Sequence, residues 1–180
     1  MDMNRDKLKA LVLYVIWRTG DAQDFGVTKL NKVLWFSDAR FYEAYGRSIT
    51  GETYTRRKFG PVPDHIEGVL RELVIDGLIS APRSSAHFDF DVKKYDAYAP
   101  ADTSMFSPDE LGFIDWWIKH VAEDHTATSI SEKSHDYGWK IVEDGQPLPL
   151  HAFLARRIRP PSKGDELDWA KGAAAELSLK

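Results

Sequence analysis

The chain has 180 residues, 43% of them hydrophobic and 29% charged, with a formal net charge of −4. That length and balance describe one globular domain able to bury its own core, and they exclude a disordered chain. With no cysteine, disulfides and thiolate metal sites are excluded, and the acidic balance weighs against a dedicated nucleic-acid binder.

The N-terminus, Met1-Asp2-Met3-Asn4-Arg5-Asp6, carries acids and passes quickly into an amphipathic helix, so no signal peptide is expected. No apolar run approaches membrane-spanning length, and a cytoplasmic protein is expected. Leu8, Leu11, Val12, Val15 and Ile16 recur at helical spacing, which predicts a first helix over 5–19 stopped by Gly20. Leu13, Tyr14 and Trp17 lie off that stripe.

Thr28 reads as the N-cap of a second helix and Gly46 as its stop. Leu30, Val33, Leu34, Phe41 and Tyr45 form its expected buried stripe, widened by Trp35, Phe36 and Tyr42. Lys29, Lys32 and Arg40 read as a basic flank. Thr53-Tyr54-Thr55 favours a short extended segment within 49–59. Pro61 and Pro63 suit the first positions of a third helix, where a missing N–H costs nothing. Val62, Ile66, Val69, Leu70 and Leu73 then make its apolar face, and Asp76-Gly77 ends it.

Leu78-Ile79 opens a strand, Pro82-Arg83-Ser84-Ser85 reads as a turn, and Phe88, Phe90 and Val92 alternate with Asp89 and Asp91 as a half-buried strand. Ser107 and Glu110 have capping-box spacing ahead of a fourth helix whose inward stripe is Leu111, Ile114, Trp117, Ile118 and Val121. Phe113 and Trp116 fall outside that stripe. A shorter helix runs from Thr128 or Ser129 to about His135. Residues 137–150, rich in Gly and Pro, read as loop, and 149–157 as one more short helix. Pro160-Pro161-Ser162-Lys163-Gly164 reads as a linker before a terminal helix or tail. The expected architecture is therefore α+β: a mostly helical single domain over 1–158, with a small β-hairpin after the third helix in the manner of a winged helix, followed by a linker and tail over 159–180.

Catalytic chemistry has little support. Ser131 and His135 stand one helical turn apart beside Asp136, but no strained turn presents a serine nucleophile, so no catalytic residue is assigned. His120 and Asp124 share a helix face, while His125, five residues on from His120, is expected to point elsewhere; no metal and no cofactor are expected. The basic runs Arg56-Arg57-Lys58 and Arg156-Arg157-Arg159 could meet phosphates. The third helix, however, carries Asp64, Glu67, Glu72 and Asp76 against a single Arg71, so a winged-helix DNA-binding regulator is the alternative and DNA the less favoured partner. The chain has six Trp, seven Tyr and nine Phe. Several of them, Trp17, Trp35, Tyr42 and Trp116, lie off the inward stripes, which points to a protein partner.

Four blocks in order resemble one family. Lys29-Leu30-Asn31-Lys32-Val33-Leu34-Trp35-Phe36-Ser37-Asp38 is similar to the Lys-Leu-x-Lys-Leu signature, ending in an acid, of Panacea domains, also called SocA-like. Tyr45-Gly46-Arg47-Ser48-Ile49-Thr50-Gly51 before Tyr54, then Lys58-Phe59-Gly60-Pro61-Val62-Pro63, then Ser131-Glu132-Lys133-Ser134-His135 with Trp139, resemble the family's later blocks. Ile130 stands where leucine is common. The resemblance spans about 8–154. It implies an antitoxin that neutralises a cognate protein toxin by direct contact and, for the SocA-like branch, a proteolytic adaptor that delivers the toxin to the ClpXP protease. Gly60, Pro61, Val62 and Pro63 read as determinants of fold. Lys32, Tyr54, Lys58, His135 and Trp139 are the motif residues expected to reach a partner.

Overall fold

The second helix, α2 (Val27–Tyr45), is the axis of the molecule. Every residue from Lys29 through Ala39 is buried, together with Phe41. A helix buried around its whole circumference must be central, with partners on all sides. The computed structural model describes residues 3–87 and 90–157, and within them α1 (Arg5–Arg18), α4 (Pro108–Glu123), α5 (Ala127–Lys133) and a 3-10 helix (Leu150–Arg157) all contact α2. The basic flank expected on α2 is therefore corrected. Lys29 is interior and its Nζ reaches Asp24 at 2.7 Å, while the Lys32 ammonium group lies inside the domain. The helix also starts earlier than expected: Gly26 is the N-cap, without a side-chain bond, and Thr28 sits within the first turn. Gly46 ends it as expected, at φ 71°.

Asn4 caps α1, its side chain accepting from the Lys7 N–H at 2.9 Å, while its own N–H donates to the Thr50 carbonyl. One face of α1 packs on α2. Another meets α3 (Ile66–Ile75), where Arg5 pairs with Glu72 and Lys9 with Asp76.

The Gly-Pro-Val-Pro run does not open α3. It forms β2 (Gly60–Pro63), antiparallel to β1 (Tyr54–Arg57), with Arg56 opposite Pro61 and Tyr54 opposite Pro63. Proline tolerates a strand position that need not donate, and the pairing supplies one. Arg56 turns both backbone groups away from β2, donating to Gln146 and accepting from Gly145, while the Tyr54 carbonyl accepts from Leu148. Val62 accordingly belongs to β2 and not to the face of α3.

After α3, Gly77 at φ 68° turns the chain, and an Ile79–Ala97 bridge leads into β3 (Arg83–His87) and β4 (Phe90–Lys94). The expected hairpin after the third helix is present. Its first strand occupies Arg83-Ser84-Ser85, where a turn was expected, and pairs with β4 from Arg83 opposite Lys94 to His87 opposite Phe90. Phe88 and Asp89 of the expected alternation fall outside the described residues. So does the tail from 158 onward, including its expected helix.

Ser107 and Glu110 form the capping box of α4: Ser107 Oγ accepts from the Glu110 N–H at 3.2 Å and Glu110 Oε2 accepts from the Ser107 N–H at 2.9 Å. Glu110 also receives Lys7 Nζ and Arg47 Nη1, tying α4 to α1 and to the loop after α2. Thr126 caps α5. The expected loop over 137–150 contains a short helix, α6 (Tyr137–Ile141), capped by Asp136 and packed on the 3-10 helix. The fold is α+β and mostly helical, and no helix among the described residues is long and apolar enough to cross a membrane.

Candidate functional site

Two buried polar nodes shape the surface. In the first, Asp38 is wholly buried on α2 and accepts from the Ile49 and Thr50 N–H groups, from Thr50 Oγ1 at 2.6 Å and from the Tyr54 hydroxyl at 2.8 Å. Burial raises the Asp38 pKa, and the hydrogen bonds oppose that rise. Burial and the Asp38 charge push the Tyr54 pKa well up, so the phenol stays a donor. The node closes the loop 46–54 onto α2.

In the second node, Lys32 Nζ donates to the Pro61 carbonyl at 3.0 Å, and burial lowers its pKa to about 7. Gly60 lies directly over it at φ 97°; a Cβ there would overlap Ser134 Oγ and come within 2.8 Å of Lys32 Cε. Ser134 is fully buried and donates to the Ser131 carbonyl at 2.6 Å. Thus the first, third and fourth sequence blocks, around Lys32, Gly60 and Ser134, meet at one point.

Next to that point, His135 stacks on Trp139 with ring centroids 3.7 Å apart, and the Arg56 guanidinium sits 3.9 Å from the same indole centroid. Arg56 Nε also donates to the Trp139 carbonyl, and Trp139 Nε1 to the Arg57 carbonyl. Burial, followed by the Lys32 and Arg56 charges, lowers the His135 pKa and keeps the imidazole neutral. The β1–β2 turn beyond carries exposed Lys58 and Phe59.

Of the five residues singled out in the sequence, Lys32, His135 and Trp139 converge here. Tyr54 belongs to the Asp38 node, and Lys58 stands in solvent. Lys32 and Tyr54 are interior and support the surface from beneath. Arg56, assigned in the sequence only to a basic run, is the third member of the His135–Trp139 stack.

An exposed aromatic feature lies elsewhere, between the end of α2 and α4. Tyr45, Phe113, Trp116, Trp117, Arg40 and Lys133 line a groove of about 600 Å³. Tyr45 stacks on buried Phe41 at 4.4 Å, and Phe113 meets both rings edge-on. Trp117 forms the floor, stacked on Phe36 at 4.5 Å. Tyr45 is 50% exposed and Trp116 56% exposed, so the expected burial of Tyr45 is corrected. It occupies the last turn of α2, beyond the reach of the core. Of the rings placed off the inward stripes, Trp35 is buried against Tyr54 and Phe153, while Trp17 and Trp116 are on the surface.

The suspected nucleophile does not assemble. Ser131 donates to the Ala127 carbonyl at 2.7 Å, an ordinary helical back-bond. His120 and His125, expected to diverge, converge with Nε2 atoms 3.3 Å apart, because α4 ends at Glu123 and His125 lies on the returning chain. No group of three or more His, Asp or Glu side chains among the described residues is placed to hold a metal.

A family model described as antitoxin SocA-like, Panacea domain, matches residues 30–140. That range takes in α2 from Leu30 onward, both polar nodes, the aromatic groove and the His135–Trp139 stack. No curated protein and no solved structure matches the chain.

Proposed function

We propose, since the chain belongs to the SocA-like antitoxin family of Panacea domains, that it neutralises a cognate protein toxin by direct contact through the α2–α4 groove. The observation that carries this reading is the continuous aromatic wall of Tyr45, Phe113 and Trp116 with Trp117 as its floor. Aromatic side chains supply most of the energy at protein interfaces, and a large exposed patch of them is costly in a lone monomer. Arg40 and Lys133 line the same groove. Together they suit an apolar anchor residue of the toxin flanked by a carboxylate. The half-buried His135–Trp139–Arg56 stack would stiffen a second contact region that includes Lys58.

The test is titration of the full chain against the product of the neighbouring gene. Saturable binding that weakens roughly 30-fold in Trp116→Ala supports the reading; no binding in the native pair would overturn it. Delivery to ClpXP is a separate activity of the same complex. It predicts faster degradation of the toxin by purified ClpXP when the chain is added, and an unchanged rate leaves occlusion alone.

A DNA-reading role has weaker support. The acids of α3 that oppose phosphate contact include Glu72 and Asp76, both engaged by α1 in ways that fix that helix as a packing element.

A further inference from the structure

The His120 and His125 rings meet at the end of α4, each with a polar partner on its Nδ1. His120 Nδ1 lies 2.7 Å from Asp124 Oδ2. A carboxylate only accepts, so Nδ1 carries the hydrogen and Nε2 of the neutral ring presents a lone pair. His125 Nδ1 lies 3.0 Å from Ser129 Oγ, and the Ser129 hydroxyl has the Thr126 carbonyl within 3.3 Å as an acceptor. With that hydroxyl on Thr126, His125 Nδ1 donates to Ser129 and His125 Nε2 presents a lone pair as well. The two Nε2 atoms are 3.3 Å apart. Two lone pairs at that distance repel unless a cation lies between them, and one does: Lys133 Nζ is 2.9 Å from His120 Nε2 and 3.5 Å from His125 Nε2.

We infer that His120 and His125 form a two-histidine chelate for a borderline divalent transition-metal ion such as Zn²⁺ or Ni²⁺, with the Lys133 ammonium as its resident stand-in. Metal–imidazole bonds of about 2.0–2.1 Å at a tetrahedral angle place two nitrogens about 3.3–3.4 Å apart, which is the separation found. Each ring already has the outer partner that a metal-bound histidine uses to fix its tautomer, a carboxylate for His120 and a hydroxyl for His125. Both must be neutral to bind. Water completes the coordination in the free chain. His120 also stacks on Trp116 at 4.6 Å, so the chelate adjoins the wall of the aromatic groove.

The experiment is calorimetric titration of the untagged full chain with Zn²⁺ and with Ni²⁺ at pH 7.5. One saturable site is expected, weakened at least about tenfold in His120→Asn and in His125→Asn. It should be unchanged in His151→Asn, which removes an exposed imidazole from another part of the surface. Lys133→Met removes the competing cation and should tighten binding several-fold. That gain separates the chelate from adventitious surface histidines and does not rest on a loss that misfolding would also produce. NMR of the native chain should show Zn²⁺ shifting the imidazole signals of His120 and His125. Absence of a saturable site, retention of binding in both Asn variants, or weaker binding in Lys133→Met would each overturn the inference.

Discussion

Lys32 shows how much one buried side chain can weigh. Its side chain is fully buried, and among the described residues its amine donates to the Pro61 carbonyl. In the unfolded chain the group holds its proton up to about pH 10.4; in the folded chain it releases it near pH 7. Between those values the unfolded state binds more protons, so stability rises with pH, by an amount on the order of a few kcal/mol across the window. Below pH 7 both states are protonated and the burial penalty is complete. Urea unfolding from pH 7 to 9.5 should show this rise in the native chain and a flat profile in Lys32→Met. Equal slopes in the two proteins would mean that the amine is solvated. Asp38 has the opposite character, a carboxylate with four donors aimed at it. Asp38→Asn turns an amide donor toward that crowd and should destabilise by about 2–3 kcal/mol in chemical denaturation, against about 1 kcal/mol for Tyr54→Phe. A loss below the Tyr54→Phe value would show that the loop 46–54 is held by other contacts.

Among the elements, the β1–β2 ribbon is the one whose identity depends on its neighbours. Gly60 needs a positive φ and has no room for a methyl group above Lys32 and Ser134. Gly60→Ala should therefore destabilise by at least about 2 kcal/mol, well beyond an ordinary glycine substitution. Adding Ser134→Gly should recover only part of that, because the backbone strain and Lys32 remain. Full recovery would assign the whole effect to the serine. At α4, the capping box is an independent device. Ser107→Ala should cost about 1 kcal/mol by removing the cap. Glu110→Gln should cost more, because the same carboxylate also holds Lys7 and Arg47. Thermal unfolding of the two variants ranks these losses directly.

At the scale of the molecule, α2 separates two kinds of aromatic residue. Trp35, Phe36 and Phe41 lie in its buried length and build the core, while Tyr45 emerges from its last turn to meet Phe113 and Trp116. Substitution of the two kinds should part cleanly. Phe36→Ala should unfold the chain at lower denaturant by 3–5 kcal/mol, a rough value for a buried ring. Tyr45→Ala and Trp116→Ala should leave the unfolding midpoint nearly unchanged while weakening the proposed contact with a toxin. Loss of stability in Trp116→Ala comparable to that of Phe36→Ala would return Trp116 to the core and remove it from the interface.

Local pattern was enough for much of this. The first helix, the Ser107–Glu110 cap, the Gly46 stop, the hairpin after the third helix and the mostly helical α+β class are all written in short-range chemistry: periodicity, capping side chains, alternation. The four motif blocks were equally legible in order. What pattern could not supply was which segments become neighbours. Pro61 and Pro63 read as helix starters until residues 145–148 claim the backbone groups of Arg56 and the Tyr54 carbonyl, so that the two prolines opposite them have nothing to donate to. Lys29 and Lys32 read as a solvated flank until partners close over every side of α2. His120 and His125 read as divergent until the chain folds back after Glu123. In each case a residue's own preferences were outweighed by desolvation and by hydrogen bonds to groups distant in the chain, and those terms exist only once the tertiary fold has formed.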